Sequence, residues 1–338
     1  MKQSAFKPNT TKKQTTWRSY ERRNWGGYWR EYHKVRRIYD LGSIAIQMVD
    51  QTNVAYNGES IASDIATSIK SQMRTSDKLL SIGVGVPGFV PAKSGVVHGA
   101  VNVGWKEYNL KARIERLLDV SVFVNNDANL AALGEYWQGA GQQSETLLLV
   151  TLGTGVGGGI IHRGEIINGP NGTGGEIGHV TIEPGGRLCA CNRRGCLEEY
   201  IGTKGFANTL HDKLSEKRNV TTELEWDDSV ESIVKAAKSG DHVALKIIEE
   251  CTYYLALALA NAVTLINPNK VLIGGGISAA RDSLFQPLHK HFSRFALLET
   301  DPKTLIVPAK LGNEAGIYGA AKLALDRHSV ETNHLRGE

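Results

Sequence analysis

At 338 residues, with a hydrophobic fraction of 41%, the chain is long for a single core and suits two domains of ordinary size. A formal net charge of only +4 at pH 7 argues against a dedicated nucleic-acid binder. The longest strongly apolar run, residues 255–266, is too short to span a bilayer, no signal-peptide pattern opens the chain, and the four cysteines are mostly clustered, so no membrane association is expected and the compartment is expected to be cytoplasmic.

The first 56 residues stand apart. Between residues 12 and 37, nine lysines and arginines face only Glu21 and Glu31, and Trp17, Trp25 and Trp29 follow no helical or alternating period. From residue 57 the chain alternates between strands and helices. Residues 80–88 read as a buried strand running into a Gly/Pro turn, and 120–127 as another that feeds a helix over 128–138. Residues 145–160 read as a strand, a glycine turn and a returning strand; 228–262 are helical, and 270–278 are again strand then glycines. This divides the chain into an N-terminal α/β domain over 57–135, a C-terminal α/β domain over 136–325 and a polar tail over 326–338, the two units facing each other across a cleft.

Three segments carry phosphate-like or acid–base chemistry. Thr151-Leu-Gly-Thr-Gly-Val-Gly-Gly-Gly159 offers closely spaced backbone N–H groups with no Cβ to block a phosphate, although glycine turns of ordinary hairpins look alike. Gly274-Gly275-Gly276 could serve a flat ligand or a close helix–strand contact. Asp127, where a strand gives way to a helix, is either a helix N-cap or, opposite a phosphate loop, a general base for an alcohol.

The segment from Gly175 to Gly202 is richer. His179, Cys189, Cys191 and Cys196 form a candidate zinc set, flanked by the carboxylates of Glu176 and Glu198. Four such ligands leave zinc no open position, which makes the site structural. Cys189 and Cys191 are too close for ordinary disulfide geometry, and Cys251 lies in an apolar helical run that reads as core.

Taken together, Val86-Pro-Gly88, Ala100-Val-Asn-Val-Gly-Trp105, the run from Asn126 to Glu135, the glycine loop and the zinc segment resemble the ROK family of sugar kinases and repressors, most of all its glucokinases. The resemblance implies a two-domain actin-like ATPase (ribonuclease H-like) fold in which a hexose and ATP meet in the interdomain cleft. It implies that Asp127 is the base for the sugar 6-hydroxyl, and that Gly88, Asn102, Asn126, Glu176, His179 and Glu198 line the sugar site. Thr154, Gly155 and Gly275 would lie along the nucleotide, with Mg²⁺ on its phosphates, and a homodimer is expected. The resemblance leaves the hexose, and the choice between ATP and polyphosphate, open. The family usually has glycine after the second cysteine; Asn192 stands there, and asparagine best tolerates the left-handed backbone that glycine supplies.

One departure is serious. Kinases of this kind open with a hairpin bearing Asp-x-Gly-Gly-Thr, and no such loop occurs in residues 1–56. Dropping the first base of each codon over residues 27–34 permits Asp-Ile-Gly-Gly-Ser-Thr-Thr-Lys, very like the missing loop. A basic aromatic arm for nucleic acid, as in a sugar-responsive regulator, is the alternative, but the stretch is shorter than such a domain and has no helix-turn-helix pattern. Residues 1–56 are therefore expected to be an out-of-frame translation, from a sequencing error or from a genuine lesion that leaves an inactive kinase relic, and the chain as written is expected to lack the first strands of its N-terminal sheet and to fold poorly or lack turnover.

Overall fold

The computed structural model describes residues 34–37, 44–47, 55–73, 78–91, 94–100, 103–216, 221–297 and 305–336. Asn102 lies outside these residues, as does the basic, tryptophan-rich stretch 12–33.

In chain order the strands are β1 (Lys34–Arg37), β2 (Ile44–Gln47), β3 (Ser81–Val86), β4 (Val97–Ala100), β5 (Trp105–Tyr108), β6 (Ser121–Asn126), β7 (Thr146–Leu152), β8 (Val156–His162), β9 (Glu165–Ile166), β10 (Lys270–Gly274) and β11 (Leu305–Pro308). The α-helices are α1 (Ala55–Gly58), α2 (Ile61–Gln72), α3 (Leu110–Leu118), α4 (Asp127–Gln138), α5 (Glu198–Ile201), α6 (Thr203–Ser215), α7 (Val230–Lys238), α8 (His242–Ile266), α9 (Asp282–Phe295) and α10 (Ala315–Arg336).

Two sheets organise two lobes. The N-terminal sheet has the order β1-β2-β3-β6, with β2, β3 and β6 parallel and β1 antiparallel at the edge. Every residue of β3 is buried, as expected for a parallel strand covered on both faces. Ile61, Ile65 and Ile69 recur four apart on α2, and this stripe joins Ile82 and Val84 of β3 and Ile114 of α3 in one core. The C-terminal sheet has the order β11-β10-β7-β8-β9, in which β7, β10 and β11 are parallel and β8 and β9 antiparallel. Its larger core gathers around α8, whose Cys251 is fully buried, as its apolar surroundings predict.

The lobes share two helices. α4 leaves the end of β6 and continues into the C-terminal lobe, while α10 packs along α4 and against β3, where Ser81 Oγ donates to Ala324 O. Residues 326–336 therefore are not a polar tail: they continue α10, and Glu331 accepts from Ser121 Oγ. Likewise the region 228–262 is two helices, α7 and α8, separated at Gly240, whose φ is +90°.

The two sheets are not equivalent at their first strands. β2 runs parallel to β3 as β7 runs parallel to β10, so the expectation that the chain lacks its first N-terminal strands is corrected for this position. The antiparallel neighbour differs, however: β8 follows β7 through a glycine turn, whereas β1 precedes β2.

Candidate active site

The site forms where the C-terminal ends of β6 and β7 face each other. Asn126 closes β6 and caps α4, its Oδ1 accepting from Ala128 N at 2.9 Å and Asn129 N at 3.1 Å. Its Nδ2 donates to Gly88 O at 3.1 Å, so the turn after β3 and the start of α4 are one unit. Gly88 has a φ of +149°, and a Cβ there would come within 3.1 Å of Ala100, His98 and Val97, which explains glycine at that turn. Asp127, the first residue of α4, accepts from Ala128 N at 2.8 Å through Oδ1. Asn126, and not Asp127, is the N-cap.

Opposite lies the segment of the C-terminal lobe that follows β9. Glu176 precedes a single 3-10 turn, Ile177–His179, whose buried Gly178 would set a Cβ 2.0 Å from Val156 O. Burial first, then the charges of Asp127 and Glu198, push the Glu176 carboxyl up to about 7. Three carboxylates, from both lobes, thus share one electrostatic environment. Glu198, at the start of α5, accepts from Val156 N at 3.2 Å, beside Gly155, where any Cβ would lie 2.2 Å from its Oε2.

His179, Cys189, Cys191 and Cys196 offer ligand atoms that all lie within 4.8 Å of one another. Cys191 Sγ and Cys196 Sγ are 3.6 Å apart, and Cys189 Sγ is 3.8 Å from His179 Nδ1. Those separations exceed a disulfide bond and match the edge of a tetrahedron with bonds of ~2.3 Å, about 3.8 Å. Burial pushes the Cys189 thiol up to about 12. Burial also opposes the Cys191 thiolate, but hydrogen bonds from Arg193 outweigh it and bring that thiol down to about 7. A central dication would resolve this conflict among packed thiols, so the donor set fits zinc. His179 would use Nδ1 for the metal and keep Nε2 for a ligand. Asn192 adopts a φ of +65° and donates from its backbone N to Cys189 O, the left-handed turn expected of it. Among the described residues, the other group of three or more ligand side chains is Cys189, Glu198 and Glu199.

The glycine loops adjoin. β7 and β10 pair in parallel up to Thr151 and Gly274, and Gly275, with a φ of +81°, sits so close to Leu152 that a Cβ would meet its carbonyl at 2.2 Å. Thr154 is exposed, and a Cβ on Gly153 or Gly276 would meet nothing within 4 Å. Thr154, Gly155 and Gly275 are thereby brought to one edge of the cleft. Thr203 at the start of α6 ties this loop down, donating from both N and Oγ1 to Gly153 O.

A model of the ROK family matches residues 44–327. The chain belongs to the ROK family. A glucokinase of Halalkalibacterium halodurans is 38% identical across 86% of this chain and 91% of its own length. The crystal structure of a ROK hexokinase from Thermus thermophilus superposes with a TM-score of 0.72 at 28% identity, covering 85% of this chain and 92% of that one. A ROK glucokinase from Streptomyces griseus, solved with glucose and AMPPNP, gives a TM-score of 0.66 at 31% identity over 79% of this chain and 88% of that one. This ROK chain accordingly has the two-domain actin-like ATPase fold.

Sequence reasoning missed several residues that hold the ROK site together. Glu135 is fully buried, and its carboxylate accepts from Lys310 N, Leu311 N and Ala140 N, fastening α4 to the loop before α10. Arg187 lies over the Tyr200 ring at 4.6 Å and donates to Glu199 O, bracing the zinc segment against α5. Asn129 and Asn168 are also buried. A carboxylate on the apolar face of a predicted helix was the available signal for Glu135; nothing local marked the others.

Proposed function

We propose that the chain, once its first phosphate loop is restored, transfers the γ-phosphoryl group of ATP to O6 of a hexose, glucose before its epimers. The observation that carries this reading is the Asp127 carboxylate at the head of α4, sharing its electrostatic environment with Glu176 and Glu198 across the cleft from the glycine loops. Asp127 takes the proton of the 6-hydroxyl as the O6–phosphorus bond forms and the bond from phosphorus to the β,γ-bridging oxygen breaks. Asn126, Glu176, His179 and Glu198 hold the ring hydroxyls, with Gly88 and Asn102 on the same wall. Backbone N–H groups around Thr154, Gly155 and Gly275 would face the phosphates, with open space beside the neighbouring Gly153 and Gly276. A magnesium ion bound with the nucleotide would supply neutralisation of the charge developing on the phosphates. His179, Cys189, Cys191 and Cys196 would hold zinc, which would brace Glu176 and Glu198 without entering the reaction. In this reading the enzyme works in the cytoplasm as a homodimer; among the described residues no helix is long and apolar enough to cross a membrane.

The test is Asp127→Asn, made in the chain with its first phosphate loop restored, in a coupled assay that compares glucose, fructose, mannose and N-acetylmannosamine. Turnover should fall about 10²–10⁴-fold while glucose affinity changes little. Operator binding without turnover would instead identify a sugar-responsive regulator.

We also propose that residues 1–43 are read out of frame. The family match beginning only at Ile44, and β1 preceding β2 where the C-terminal lobe has its hairpin following, support this reading, while residues 44–56 match the family in the frame as written and fall outside it.

A further inference from the structure

Three buried asparagines form a bridge between the lobes behind the reacting groups. Asn125 is the penultimate residue of β6, Asn129 stands in the first turn of α4, and Asn168 lies in the segment leading to Glu176; they are 4%, 1% and 7% exposed. Asn129 Nδ2 donates to Asn125 Oδ1 at 3.5 Å and to Asn168 Oδ1 at 3.4 Å. The orientation of these amides follows from chemistry. Asn125 Oδ1 also accepts the backbone N–H of Asn126 at 2.8 Å, so oxygen must face that way, and Asn129 must present its NH₂ to it.

Both arms of the bridge end at the site. On one side, Asn125 holds the backbone of Asn126, next to Asp127. On the other, Asn168 O accepts Gly174 N at 2.8 Å, two residues before Glu176. A single NH₂ group therefore spans the strand that delivers the base and the loop that delivers a carboxylate of the sugar site. Packing does not do this work, because a cavity of about 250 Å³, lined by Asn125, Leu133, Ile166, Asn168 and Leu323, adjoins the bridge. Asn129 Oδ1, meanwhile, has no hydrogen-bond partner although it is buried. A leucine would suit an apolar helix position without that orphaned acceptor, so stability alone does not account for asparagine here.

We propose that Asn129, acting through Asn125 and Asn168, is a positioning residue that sets the Asn126-Asp127 edge against Glu176. This rests on the reading of the cleft as a hexose site. It is tested by titrating glucose calorimetrically into Asn129→Leu, Asn168→Ala and the double variant, in the chain as written and in the chain with its first phosphate loop restored.

Each single substitution should weaken glucose binding at least fivefold with the thermal midpoint held within about 3 °C. The double variant should be no more than about twofold worse than the weaker single, because both substitutions cut one bridge. A loss under fivefold in both singles, or losses that multiply in the double, overturns the proposal. Should Asn129→Leu fail to fold, Asn168→Ala decides alone, since it leaves the helix untouched. Absence of glucose binding by the unsubstituted protein in both forms would sink the hexose-site reading itself, and this proposal with it; parental binding that survives the substitutions sinks only the bridge.

Discussion

Glu176 shows how a residue's position turns composition into chemistry. Its carboxyl, ordinarily near 4.5, is pushed up to about 7 by burial and by the charges of Asp127 and Glu198. Below pH 7 it is protonated and a poorer acceptor for sugar hydroxyls; above, it is ionised. In the metal-free protein, glucose affinity should therefore rise between pH 6 and pH 8, and Glu176→Gln should flatten that profile in calorimetric titrations. Stability should move oppositely. A carboxyl whose folded pKa is raised contributes stability that is full below about 4.5 and lost as pH rises through about 7, so the sugar-free protein should melt lower at pH 8 than at pH 5 on this account. At this scale the sequence was legible where a motif names its own partner: the cysteine spacing identified His179, Cys189, Cys191 and Cys196, which the fold gathers. Asn168 was not legible, because an asparagine in a glycine-rich stretch reads as a turn until its partner 39 residues away is known.

Between elements, the governing feature is the crossing of α4 and α10. A Cβ on Gly319 would lie 1.7 Å from Leu130 O, and one on Gly134 would lie 2.0 Å from Ala315 O, so each glycine admits the backbone of the other helix. Gly319→Ala should cost about 3 kcal/mol and lower Tm by several degrees, because neither backbone can yield without moving a lobe. The run Gly312–Ala321 is rich in small residues and can pack tightly, but its partner Gly134 lies 185 residues before Gly319 and only the fold supplies it. The zinc segment behaves differently, since its ligands are close in sequence. Chelation, or Cys196→Ser, should lower metal content from about one zinc per chain to near none in elemental analysis. It should weaken glucose binding at least about tenfold, because Glu198 stands two residues from Cys196 and Cys189 Sγ lies 3.8 Å from its Oε1.

For the whole molecule, the decisive question is the N-terminal sheet. Its β2 and β1 pair beside β3 in an order that differs from β7 and β8 in the other lobe, and no glycine turn follows β2 among the described residues. The nucleotide sequence should encode an Asp-x-Gly-Gly motif in the offset frame over codons 27–34, and restoring that frame should recover glucose phosphorylation that the chain as written lacks. Turnover by the chain as written, or no such motif in the gene, would refute this.

The sequence by itself determined the family, the alternation of strands and helices from residue 57, and the candidate ligand set His179, Cys189, Cys191 and Cys196, because each depends on residue types at short spacing. It did not determine that α10 runs back across both lobes, that residues 326–336 are helical rather than a tail, or that Asn125, Asn129 and Asn168 meet. Those were decided by tertiary structure, because they join groups far apart in the chain. A buried polar atom in such a place is satisfied, or left orphaned, only by what the fold brings beside it.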